Sequence, residues 1–111
     1  MQTVFHVSTP EDVRVVVAKV ENLLADETVE MERVAVVLDR GDAIAELHEE
    51  AEHAEALADL LTGGTEFKAC SNAARHPAVS TDELLSGVEL VSSGVGELTR
   101  LQQDGFAYIR L

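Results

Sequence analysis

Cys70 is the single cysteine of the chain, and its surroundings are those of a group that could do chemistry. It closes the run Glu66-Phe67-Lys68-Ala69-Cys70, which predicts a short strand, and small polar residues follow at once. In open α/β sheets ligands bind beyond the carboxyl ends of the strands, where this residue would stand. If Ser71-Asn72-Ala73-Ala74 begins a helical turn, the free N–H groups of Ser71 and Asn72 point toward the sulfur and favour thiolate. Arg75 or His76 would add positive potential. A free cysteine is equally at home as inert packing, and both readings stay open at this level.

The same rule of strand ends nominates three other segments. His6-Val7-Ser8 closes the first apolar run, and His6 matters for chemistry only if it faces Cys70. Leu38-Asp39-Arg40-Gly41 ends the second. Ser92-Ser93-Gly94-Val95-Gly96 resembles a phosphate loop only loosely, because it lacks the Walker lysine. A helix starting there could hold a small anion or the outer sulfur of a persulfide, with Ser93 and Gly94 as one wall. His48 and His53 are five residues apart, whereas a zinc-binding helix needs them four apart, so no metal is expected. No Ser–His–Asp order, dinucleotide fingerprint or paired-cysteine motif is present, and no cofactor is expected.

The elements that must position these groups follow from hydrophobic spacing. Thr3–Val7 predicts a first strand. Thr9 then suits an N-cap and Pro10 the first helical position, with Val13, Val16, Val17, Val20, Leu23 and Leu24 at helical intervals. Val34–Leu38 is continuously apolar, as in a strand covered on both faces. Ile44, Leu47, Ala51, Ala54, Ala58 and Leu61 predict the longest helix, ended by Gly63-Gly64. Ser80-Thr81-Asp82-Glu83 reads as a capping box opening a brief helix. Val88–Val91 predicts a fourth strand, Val95, Leu98 and Leu101 a last helix running to Gly105, and Phe106–Leu111 a fifth strand. Strands alternating with helices imply a largely parallel sheet with helices on both faces, built as one domain over residues 1–111.

Composition bounds what such a domain does. Of 111 residues, 46% are hydrophobic and 26% charged, a globular balance. The formal net charge is -13; it repels phosphate backbones, so direct nucleic-acid binding is disfavoured. So acidic a surface suits a salt-loving source. No positively charged leader is visible, and no apolar stretch reaches the ~20 residues of a membrane helix. One cysteine excludes an intrachain disulfide, and the chain reads as cytoplasmic.

Several segments together resemble the DsrE/DsrF-like family of sulfur-relay proteins, TusD-like subunits included. They are Val4-Phe5-His6-Val7, Glu21-Asn22-Leu23-Leu24, Gly41-Asp42-Ala43-Ile44, Phe67-Lys68-Ala69-Cys70-Ser71-Asn72-Ala73, Leu90-Val91-Ser92-Ser93-Gly94-Val95 and Leu101–Ile109. Arg40 departs from the small polar residue that many relatives carry before the glycine. The resemblance implies a three-layer α/β/α fold with a central, mostly parallel five-stranded sheet. It also implies a cysteine at the position of Cys70 that carries sulfane sulfur as a persulfide. Ser71, Asn72, Arg75, Ser93, Gly94 and His6 are the candidate supports. A sulfurtransferase or sulfur-carrier subunit is thereby expected, working as a homo-oligomer (trimer or hexamer) or with related subunits, between a donor and an acceptor protein. A non-catalytic oligomeric ligand-binding or scaffold protein with a structural cysteine is the alternative, and a thiol redox sensor a second one.

Overall fold

A computed structural model describes residues 1–111. The first apolar run forms β1, Gln2–Val7, buried from Thr3 onward. Thr9 then caps α1, Pro10–Ala25, its hydroxyl accepting from the Asp12 N–H at 3.3 Å, with Pro10 in the first turn. The cap satisfies one of the free N–H groups, and Glu11 and Asp12 complement the positive helix end. Val13, Val16, Val17 and Val20 point inward and pack on Phe5, Val36 and Leu38. Burial of this valine stripe outweighs the weak helix propensity of its residues.

β2, Arg33–Leu38, is buried at every position after Arg33. β3 is Glu66–Cys70, β4 is Glu89–Val91 and β5 is Ala107–Arg110. All four pairings are parallel and the strand order is β4-β3-β2-β1-β5. From β1 to β4 the chain steps across the sheet in one direction. It then returns over the whole sheet through α4, Gly94–Gln103, to lay β5 beside β1. Right-handed crossovers in opposite directions place their connections on opposite faces. The larger core accordingly joins α1 to Phe5, Val7, Val34, Val36, Leu38, Phe67 and Ala69. On the other face Leu98 and Leu101 of α4 pack with Val4, Ala35, Val37 and Phe106. The result is a three-layer α/β/α architecture around a five-stranded parallel sheet. No helix is long and apolar enough to cross a membrane.

Two expectations fail. The segment expected to be the longest helix is broken into α2, Gly41–Ile44, a 3₁₀ turn, Ala45–Leu47, and α3, Ala54–Thr62. The backbone around residue 48 is captured by the loop of residues 80–85 instead. Leu85 N–H donates to the Leu47 carbonyl and Glu49 N–H to the Glu83 carbonyl, both at 2.9 Å, and His48 forms an antiparallel bridge with Leu84. Beyond Leu47 the stripe continues only through Ala51, Ala54 and Ala58 before Leu61, and alanines gain too little by burial to resist that competition. The capping box at Ser80 also fails. Its side chain caps nothing, the segment is a 3₁₀ turn over Thr81–Glu83, and the Ser80 N–H donates to His48 Nε2 at 3.0 Å.

Candidate functional site

Chain connectivity places the site. After β3 the chain passes into a 3₁₀ turn, Ala73–Arg75, with Ala74 in the α1 core, whereas after β4 it enters α4 on the opposite face. The two connections diverge between β3 and β4, and such a switch point is where parallel sheets open to ligands. Cys70 is the last residue of β3 at that point, and the Ser71 N–H closes the gap by donating to the Val91 carbonyl at 2.8 Å.

Strand alternation decides which way the cysteine faces. Lys68 reaches Glu97 of α4 at 2.9 Å, so Cys70, two residues on, looks toward the same face. There it meets the start of α4. A Cβ on Gly94 would lie 3.5 Å from Cys70 Cβ and 3.0 Å from Asp39 Cβ. Glycine lets the helix begin directly above both residues without displacing Asp39. Ser93 caps this helix, its Oγ accepting from Gly96 N–H at 3.0 Å. Its first N–H groups carry the partial positive charge of a helix N-terminus, and the helix starts against Cys70. Cys70 itself is only 7% exposed.

Next to Cys70 on this face lies a polar array that runs to the β5 edge. Asp39, one residue past β2, accepts from Ser8 Oγ at 2.6 Å on one oxygen and pairs with His6 Nε2 at 2.7 Å on the other. The register pairs His6 with Arg110, and Arg110 Nη1 lies 2.8 Å from His6 Nδ1. Arginine only donates, so Nδ1 is the accepting nitrogen and the ring proton sits on Nε2, directed at Asp39. The Tyr108 hydroxyl stands 2.7 Å from the same Nδ1. Burial works against the charge on Asp39. The hydrogen bonds from Ser8 and His6, with the positive field of Arg110, outweigh it and hold the carboxyl below its usual range.

Deeper in this face, Lys68 is buried among carboxylates, with Glu97 at 2.9 Å, Glu89 at 3.3 Å and Glu66 at 3.7 Å. Burial alone would lower its pKa, but Glu97 and Glu89 raise it above the usual lysine value. Glu97 is buried too and also binds Arg100 at 2.6 Å; these partners hold its carboxyl low despite the burial.

Among the residues expected at the site, Cys70, Ser93 and Gly94 come together at the head of α4. The expected donor at Ser71 differs, because that N–H is committed to Val91. Asn72 is exposed and accepts from Arg75 Nη2 at 3.3 Å, which ties Arg75 back to the turn. His6 does not bond the cysteine; Asp39 lies between them in the strand order. Ser8 and Asp39 both lie in segments that their strand ends nominate, whereas Tyr108 and Arg110 lie in no nominated segment. Period-two spacing in the last strand puts Tyr108 and Arg110 on one face, yet which strand they join is a matter of topology. No group of three or more His, Cys, Asp or Glu side chains could hold a metal ion. None of the surface hollows is lined by Cys70, Asp39 or His6.

Comparison with known proteins agrees with this architecture. A solved structure, that of the protein of unknown function MTH1491 from Methanobacterium thermoautotrophicum, superposes with a TM-score of 0.88. It is 36% identical over 99% of this chain and 98% of that one. No curated protein sequence gives a significant match. The model of the DsrE/DsrF-like family matches residues 20–111, a span that takes in Cys70, the α4 N-terminus and β5. The chain belongs to the DsrE/DsrF-like family.

Proposed function

We propose that this chain is a small sulfur carrier in which Cys70 holds sulfane sulfur as a persulfide. The Cys70 thiolate attacks the outer sulfur of a donor persulfide, R–S–SH. The donor's S–S bond breaks, its thiolate leaves and takes up a proton, and Cys70–S–SH remains. An acceptor thiolate then attacks the outer sulfur, and Cys70 departs as thiolate, with no net oxidation in either exchange. The observation that carries this reading is the placement of Cys70 at the switch point, against the first residue of α4. N–H groups of the capped helix stabilise the sulfur anion, Ser93 and Gly94 shape the wall, and Asn72 and Arg75 stand in the turn that follows Cys70. A single cysteine suits a carrier, since no second thiol in the chain can resolve the persulfide as a disulfide.

Assembly into a homo-oligomer (a trimer or a hexamer), or with related subunits, fits the same reading. β5 is an edge strand exposed at all four of its positions, Tyr108 and Ile109 included, and assembly is one way such edges are covered. Donor and acceptor would be proteins that present a persulfide and a thiol, respectively, to Cys70.

The test is to incubate the reduced protein with a persulfide donor and weigh it. A gain of about 32 Da, one sulfur atom, is expected and should vanish in Cys70→Ala. Equal loading of the variant would overturn the assignment. The burial of Cys70 favours a second reading, a scaffold in which the thiol is packing. In that case Cys70 is alkylated only on unfolding and no sulfur is taken up.

A further inference from the structure

We propose that Asp39 sets the charge class of the sulfur donor, so that Cys70 accepts sulfur from neutral or cationic donors and discriminates against small anionic ones. This deepens the persulfide reading of Cys70 and rests on it.

Three observations carry it. First, Asp39 and Cys70 approach the same point, since a Cβ on Gly94 would touch both, at 3.0 and 3.5 Å from their Cβ atoms. A reagent that reaches Cys70 past α4 therefore passes the carboxylate. Second, the carboxylate is fixed. Ser8 and His6 each occupy one of its oxygens, and the ring of His6 is anchored from behind by Arg110. A charge that cannot swing away acts on every incoming group. Third, Arg110 bonds Nδ1 on the far side of His6 and not Asp39 itself, so its field offsets the carboxylate only in part. Each oxygen of Asp39 has one donor and keeps lone-pair capacity, and its side chain is 24% exposed. The entrance thus presents an acceptor to the donor molecule and repels a second negative charge. A protonated persulfide or an ammonium-bearing donor fits it, and thiosulfate or another small dianionic donor does not.

Two alkylating reagents of nearly equal size isolate this effect from sulfur chemistry. Iodoacetate is anionic and iodoacetamide neutral, and the ratio of their rates at native Cys70 reads the local charge. Asp39→Asn should raise the iodoacetate-to-iodoacetamide ratio by about threefold or more, the effect in water of one unit charge roughly 6 Å away. It should raise in the same sense the loading from thiosulfate, in which Cys70 thiolate takes the outer sulfur, the S–S bond breaks and sulfite leaves. Glu27→Gln makes the same change in net charge at the opposite end of the sheet and should leave the ratio alone. Arg110→Gln, on the exposed edge, should lower it, and this variant carries the test should Asp39→Asn fail to fold. An unchanged ratio in Asp39→Asn, or an equal change in Glu27→Gln, overturns the assignment of Asp39 while sulfur loading still stands. A native Cys70 that neither reagent labels and no donor loads overturns the carrier reading itself, and this proposal with it.

Discussion

His6 joins two opposite charges on either side of β1, with Nε2 2.7 Å from Asp39 Oδ2 and Nδ1 2.8 Å from Arg110 Nη1. Only a ring carrying its proton on Nε2 alone satisfies both neighbours, since Arg110 cannot accept. Correlation spectra of the ¹⁵N-labelled ring should show Nε2 protonated and Nδ1 bare; a proton on Nδ1 would refute the arrangement. His6→Ala leaves Asp39 and Arg110 without this partner at a part-buried position. It should cost about 1–3 kcal/mol in denaturant unfolding.

Gly94 allows α4 to start above Cys70, and the space it leaves is small. Gly94→Ala would bring a methyl to 3.0 Å from Asp39 Cβ, tighter than ordinary packing, and Asp39 or the helix must move. The expected outcome is about 1–3 kcal/mol of destabilisation together with a slower gain of sulfur mass at Cys70. Destabilisation with loading unaltered would separate the helix start from the chemistry.

Gly41 answers for the other side of the site. A Cβ there would sit 2.3 Å from His76 Cβ and 2.9 Å from the Ala73 carbonyl oxygen, in the turn that follows Cys70. Gly41→Ala should therefore destabilise by about 3 kcal/mol or more, measured by urea unfolding. His76→Ala should not rescue it, because the clashing atom is the Cβ that alanine retains.

The buried charges under α4 make stability depend on pH in a stated direction. Glu97 and Asp39 are held below their ordinary values. The stabilisation from each is full above the unfolded-state pKa and is lost as pH falls through the folded one. Lys68 is held above its ordinary value. Its contribution is full below the unfolded-state lysine pKa and is lost as pH rises through the folded one. Unfolding free energy followed against pH should fall at both ends, and Glu97→Gln should flatten the acid limb. Lys68→Met leaves the buried Glu97 with Arg100 as its remaining cation and should cost about 1–3 kcal/mol, much of it recovered in Lys68→Met/Glu97→Leu.

Local chemistry was legible wherever one residue decides one feature. Thr9 and Pro10 marked the start of α1, and the strand ending at Cys70 was bounded as observed, since short apolar runs flanked by polar turns leave little choice. What failed was settled at long range. The alanine stripe over residues 44–61 has helical period, but the loop of residues 80–85 takes the hydrogen bonds near Leu47, and no local pattern announces that. The site divides the same way. Cys70, Ser93 and Gly94 stand at strand and helix ends that the sequence marks. Tyr108 and Arg110 join His6 only because β5 returns beside β1, a pairing that spans 104 residues.

That return has a kinetic consequence. β1 is made before any other strand and keeps one open, largely apolar edge until β5 arrives, while β2 to β4 can already add on its other side. The β1–β5 pairing has the largest loop-closure cost of the sheet and is expected to form late. Any partly folded species that precedes this pairing exposes the edge of the strand that carries His6, and that edge is where misassociation is expected to start.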